Sequence, residues 1–223
     1  MAGITKEEFA DKLKQIQPYD FIFVHVKQDK AGFGDVPSVL TQIGTGYFCH
    51  VEVKLPTIEY KGKQMDNLVC CAGGSIVGPE ALDKYLVDYK KYQLFIMGLR
   101  NVNNVDKEYM EIEMKRQMKL GRKMKTKYDW DGVAFLGLKG GLTKIWGIGS
   151  LLAPLIWTLP NPHDPNKLFC TESSAKVGRA PRILFEDEAG NLRAGKAKYD
   201  LPVTVPPTQL GKREEFEIKM VIG

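Results

Sequence analysis

The strongest constraint on this chain's fold is a set of four short apolar runs in its first hundred residues: Phe21 to Val26, Cys49 to Leu55, Leu68 to Ala72 and Leu94 to Leu99. Each is too short for a core helix, rich in β-branched, aromatic or other apolar residues, and bounded by glycine or polar residues, a pattern that predicts strands. Cys49 to Leu55 also alternates, placing His50, Glu52 and Lys54 on one face and Cys49, Val51 and Val53 on the other. Helical spacing appears around these runs. Thr5 followed by Glu8 is a capping-box pattern ahead of Phe9, Leu13 and Ile16, predicting a helix over about 5–16 that ends before Pro18. Pro79 to Tyr89 has helix-like spacing at Leu82, Tyr85 and Leu86. From Asp106 onward Met110, Met114 and Met118 recur every four residues, one face of a helix expected to stop near Gly121. Those methionines read as core packing.

The chain's 223 residues, 43% of them hydrophobic, suffice for one domain with a sizeable core and exclude the disordered and fibrous classes. Met1 to Phe9 lacks the basic and apolar regions of a secretory signal, so a cytoplasmic location is the expectation. Cys49, Cys70, Cys71 and Cys170 are then expected to be reduced thiols. A net charge of +5 permits an acidic partner without requiring one. The basic run Lys115, Arg116, Lys119, Arg122, Lys123, Lys125 and Lys127 reads as a solvated helix face rather than a nucleic-acid contact. Trp130 to Trp157 is rich in Gly, Leu and Trp but broken by Lys139, Lys144 and glycines, which excludes a membrane span of about 20 apolar residues. It reads as a buried helical insertion or, alternatively, as a lid or an apolar groove for an acyl chain. Pro202, Pro206 and Pro207 mark an irregular C-terminal extension from about residue 180, ahead of a closing strand over Phe216 to Val221.

Two residues could carry chemistry. Cys170 lies in Phe169-Cys170-Thr171-Glu172-Ser173-Ser174-Ala175, where a proline-marked loop gives way to residues suited to a helix start. There the helix dipole and free backbone N–H groups favour a thiolate, and the same N–H groups can hold an oxyanion. His50 looks out from the polar face of its strand, with His25 and His163 as competitors for a base role. A zinc site is excluded by the adjacency of Cys70 and Cys71 and the unpaired histidine spacing, and no Gly-x-x-x-x-Gly-Lys phosphate loop is present.

Five pieces occur in a telling order: Pro18-Tyr19-Asp20-Phe21-Ile22-Phe23, Phe48-Cys49-His50-Val51-Glu52-Val53, Gly73-Gly74-Ser75-Ile76-Val77, Leu120-Gly121 with Tyr128-Asp129, and Phe169-Cys170-Thr171-Glu172. This succession resembles the YiiX/YebB-like branch of the NlpC-type cysteine peptidase superfamily, a circularly permuted papain-like fold, over about residues 17–175. The resemblance implies an α+β fold, with a small antiparallel sheet or half-barrel carrying His50 and packed on helices that include one opened by Cys170. It implies Cys170 as nucleophile and His50 as general base. Three departures stand out: Tyr19-Asp20 where Gly-Asp is usual, Thr171 where serine follows the nucleophile, and a long gap between Asp129 and Cys170 that marks residues 133–165 as an insertion. The family's orienting glutamate before Ala-x-Gly is replaced by Cys71. Glu52, two residues from His50 on the same face, is the substitute, with Asp66 and Asn67 as rivals.

The expected function is that of a cysteine hydrolase or acyltransferase acting on a peptide, isopeptide or lipid acyl bond without a cofactor. Peripheral membrane contact is compatible with the apolar insertion. The alternative is a noncatalytic binding or structural module, of viral or phage kind, that retains the fold.

Overall fold

The computed structural model describes residues 4–32, 38–39, 42, 46–60, 62–73, 76–124, 170–203 and 205–223. The chain opens with helix α1 (Lys6–Lys14), whose capping box is formed on both sides. Glu8 N–H donates to Thr5 Oγ1 at 3.1 Å and Thr5 N–H donates to Glu8 Oε2 at 2.8 Å. Strands β1 (Phe21–Val26) and β2 (His50–Lys54) follow, then a small β3 (Ile58–Tyr60) and β4 (Lys63–Met65) pair, then β5 (Leu68–Gly73), β6 (Ile76–Ala81) and β7 (Tyr92–Leu99). Helix α2 (Asn104–Met124), helix α3 (Cys170–Gly178), the β8 (Arg182–Glu186) and β9 (Leu192–Ala197) hairpin, short helix α4 (Pro207–Gly211) and β10 (Phe216–Ile222) complete the described part.

Six strands form one sheet in the order β10-β7-β1-β2-β5-β6, with each neighbouring pair antiparallel. The fold is therefore α+β with an antiparallel sheet. Both faces of that sheet are covered, and the side-chain alternation divides them. Phe21, Phe23, Val51, Val53, Met97 and Leu99 join Met110, Met114 and Met118 of α2 and Ala175 and Val177 of α3 in one buried cluster. Ile22, Val24, Val26, Leu94 and Ile96 join Phe9 and Leu13 of α1, with Leu82 and Tyr85, in the other. This explains why β1 reads FIFVHV rather than alternating with polar residues: a central strand between two helical layers has no solvent face.

The methionines at helical spacing are core residues, and Lys115, Arg116 and Lys119 lie on the exposed side of α2. Lys115 and Arg116 are engaged by Glu111 at 2.5 Å and Glu113 at 2.7 Å. Three expectations change. Pro79 to Tyr89 is no α-helix: β6 runs through Pro79, opposite Cys70, and a 3-10 turn covers Leu82–Leu86. Proline is tolerated because β6 is the outermost strand, where its missing N–H breaks no ladder bond. The three-residue spacing of Leu82 and Tyr85 suits a 3-10 turn as well as an α-helix. Helix α2 also continues past Gly121 to Met124, since one interior glycine costs only about 1 kcal/mol. The segment after residue 180 is more regular than its prolines suggest, with a hairpin, a helix and the edge strand β10. The insertion at 133–165, Tyr128, Asp129 and His163 lie outside the described residues. Among the described residues no helix is long and apolar enough to cross a membrane.

The Tyr19-Asp20 departure has a structural cost. Tyr19 has φ of 71°, the left-handed region where glycine is at ease and a side chain costs about 1–2 kcal/mol. Its backbone N–H donates to Lys54 O at 2.9 Å and its hydroxyl donates to Glu111 at 3.0 Å, anchoring the residue at both ends. Tyr19→Ala is accordingly expected to be about 1 kcal/mol less stable than Tyr19→Gly, because both lose the anchor and alanine alone keeps the strain. Urea unfolding of the two variants measures the difference.

Candidate functional site

Helix α3 begins at Cys170 and is almost wholly buried, with small and hydroxyl residues allowing it to lie against the sheet. Ser174 Oγ donates to Val51 O of β2 at 3.3 Å. Ser173 Oγ donates to Gln117 Oε1 at 2.5 Å and Gln117 Nε2 donates back to Ser173 O at 3.1 Å, locking α3 to α2. At the other end Gly178 is so close to its neighbours that a Cβ there would sit 2.4 Å from Leu201 Cδ1 and 3.2 Å from Phe21 Cζ. Phe21 pairs with Val53. The helix therefore runs along β2, with Gly178 near the Val53 end and Ser174 at Val51. Cys170, one turn or about 5–6 Å further, lies toward the His50 end. Its first-turn N–H groups have no partner within the helix, which is the requirement for holding an anion there.

His50 is the first residue of β2 and opposes Val24, while Glu52 opposes Ile22. Directly opposed side chains share a face, so His50 and Glu52 project to the α1 side of the sheet, whereas Cys170 belongs to the cluster on the α3 side. The structure brings His50 and Glu52 into contact: Nε2 lies 3.5 Å from Glu52 Oε2. It brings Cys170 to the same end of β2 from the other face. Both act on Cys49, whose thiol is pushed up to about 12 by burial first, with His50 lowering it and Cys170 raising it. Cys49, hydrogen-bonded to Val24 O at 3.3 Å, is thereby an inert structural thiol beside the site.

Glu52 is fully buried, and a buried carboxylate requires a cation. Lys84, from the 3-10 turn, supplies it: Nζ lies 2.7 Å from Glu52 Oε2 and 2.8 Å from Glu80 Oε2. Burial pushes Glu52 upward, but the Lys84 charge and the His50 hydrogen bond outweigh it and hold the carboxyl down at about 2. Since the folded value lies below the ordinary 4.5, this carboxylate's contribution to stability is complete above about pH 4.5 and is lost as pH falls toward 2. Acid titration of the unfolding free energy is expected to show that loss, and Glu52→Gln to remove its share of it.

The rivals are occupied elsewhere. His25 Nδ1 lies 2.8 Å from Tyr47 O and 3.2 Å from Gln42 Nε2, and its ring stacks on Tyr47 at 4.0 Å. Asn67 donates to Asp83 at 2.5 Å, and Asp66 lies beside Lys54, whose Nζ donates to the Asp66 carbonyl and whose charge the Asp66 carboxylate favours. Sequence reading missed Lys84. The available signal was the Glu80, Lys84 spacing beside a strand carrying an otherwise unmatched glutamate. Among the described residues no group of three or more His, Cys, Asp or Glu side chains could hold a metal. No family model, no curated protein and no solved structure matches the chain.

Proposed function

We propose that the protein is a cysteine-dependent hydrolase or acyltransferase of permuted papain-like design, acting on an amide or ester acyl bond. The observation that carries this reading is that two termini approach one end of β2 from opposite faces of the sheet, Cys170 as the first residue of a buried helix and His50 as the first residue of the strand, with Glu52 touching the His50 ring. In the proposed cycle His50 takes the proton of Cys170 and the sulfur attacks the acyl carbonyl. First-turn N–H groups of α3 hold the oxyanion. Collapse expels an amine or alcohol, which takes the proton from the imidazolium, and a thioester remains. Water or another nucleophile, deprotonated by His50, then attacks that thioester and the sulfur leaves as thiolate. Glu52 orients the ring throughout.

Mass mapping after exposure to short-chain p-nitrophenyl esters tests the assignment. An acyl adduct on Cys170 that is absent after Cys170→Ser is expected. Acylation spread over Cys49 and Cys70, or absent from Cys170, would leave the noncatalytic alternative.

A further inference from the structure

The mechanism above uses Glu52 only as an orienter and leaves Lys84 unexplained. Yet Lys84 and the His50 ring converge on the same atom, Glu52 Oε2, at 2.7 and 3.5 Å. The other carboxylate oxygen, Oε1, is buried and has no hydrogen-bond partner among the described residues. One oxygen thus serves both the Lys84 ammonium and the His50 ring. Glu80, half-exposed on β6, grips the same ammonium at 2.8 Å from the solvent side. Among the described residues, the titratable groups that face Glu52 are His50 and Lys54 on its own strand, the latter's Nζ turned to the Leu55 and Asp66 carbonyls, with Lys84 on the 3-10 turn and Glu80 on β6 behind it; β1 contributes the apolar Ile22 opposite.

A buried carboxylate with no other cation would draw a proton onto the imidazole and hold it there, because the neutral alternatives leave an uncompensated charge in a poorly solvated place. A base held in its protonated form takes no proton from a thiol. A permanent charge on the shared oxygen removes that demand. We propose that Lys84 is a positioning residue for the His50 site, compensating Glu52 so that the carboxylate orients the His50 ring without trapping it as imidazolium at neutral pH. The inference rests on reading His50 as the base, and it adds the residue that keeps that base available. Arginine should serve in the same place, since the role requires charge at that oxygen. A neutral side chain should not.

Titration of the His50 ring by NMR tests this, with its resonance assigned through His50→Gln and folding checked by circular dichroism. Because His50 and Glu52 interact directly, the midpoint belongs to the pair. Lys84→Gln is expected to raise it by about one unit, and Lys84→Arg to leave it near the wild-type position. Glu80→Gln, a half-exposed change that leaves the fold intact, is expected to lower it, and this keeps the test alive should Lys84→Gln not fold. A midpoint unmoved in the folded Lys84→Gln variant, or unmoved in Glu80→Gln where only that variant folds, overturns the proposal. The titration is read whether or not Cys170 is acylated: a missing shift overturns this inference alone, and a missing acyl adduct overturns the acyl-transfer reading alone.

Discussion

Removing the His50 ring, as in His50→Ala, is expected to slow alkylation of Cys170 by iodoacetamide about 100-fold at pH 6. The thiolate is the reacting species, and a thiol lacking a base is only a few per cent ionised even at pH 7, less by another order of magnitude at pH 6. A positioned histidine restores the ionised form, and contributions of roughly 10²–10⁴ are typical of such a group. The slope against pH is as diagnostic as the rate. With His50 present, labelling should level off once the ring is neutral and able to take the thiol proton; without it, labelling should climb about tenfold per pH unit throughout, as free thiol ionisation dictates. His25→Ala is the matched control, because that ring is held by Tyr47 and Gln42 and has no part in the proposed site. A His50→Ala rate within threefold of wild type would mean that the two strand-end residues do not work together. Cys49 supplies an internal reference in every variant, since a thiol pushed up to about 12 should stay unmodified until the protein unfolds.

What could be read from the sequence divides along physical lines. The strands β1, β2, β5 and β7 were legible because each is a brief apolar run between chain breakers, and α1 because its cap and its apolar face agree. Strand β6 was not, since Pro79 argues against a strand except at an edge, and edge position is a property of the whole sheet. The His50 and Glu52 pair followed from alternation alone, and their contact confirms that they share a face. That α3 covers the opposite face of β2 from Glu52 did not follow. It depends on Ser173, Ser174 and Gly178 fitting against Gln117, Val51 and Leu201, contacts between residues far apart in the chain. Lys84 was hidden for the same reason: its partner Glu52 lies 32 positions away and only becomes a buried, cation-seeking group once the sheet has formed.

That dependence makes Lys84 the most consequential position for stability as well. Lys84→Met is expected to destabilise the fold by about 3 kcal/mol at pH 7, the lower end of the range for stripping a partner from a buried charge. The lower end applies because Lys84 itself keeps 30% of its side chain in solvent while Glu52 keeps none. The loss comes less from the bond than from what remains: a carboxylate with one oxygen already unpartnered among the described residues and the other left with the His50 ring alone. Two consequences separate this account from simple loss of packing. The penalty should shrink as pH falls below the neutral range and be gone only below about pH 2, where Glu52 is protonated in wild type too and no longer needs a cation. The double change Glu52→Leu with Lys84→Met should recover most of the 3 kcal/mol, because an apolar pair of similar volume leaves no buried charge unmatched. Guanidinium unfolding across pH, on the single and double variants, reads both. If the double variant were as unstable as Lys84→Met and the penalty were the same at pH 3 as at pH 7, Lys84 would be holding the 3-10 turn by its hydrocarbon stem against Tyr85 and Leu82, and its charge would be incidental to the fold.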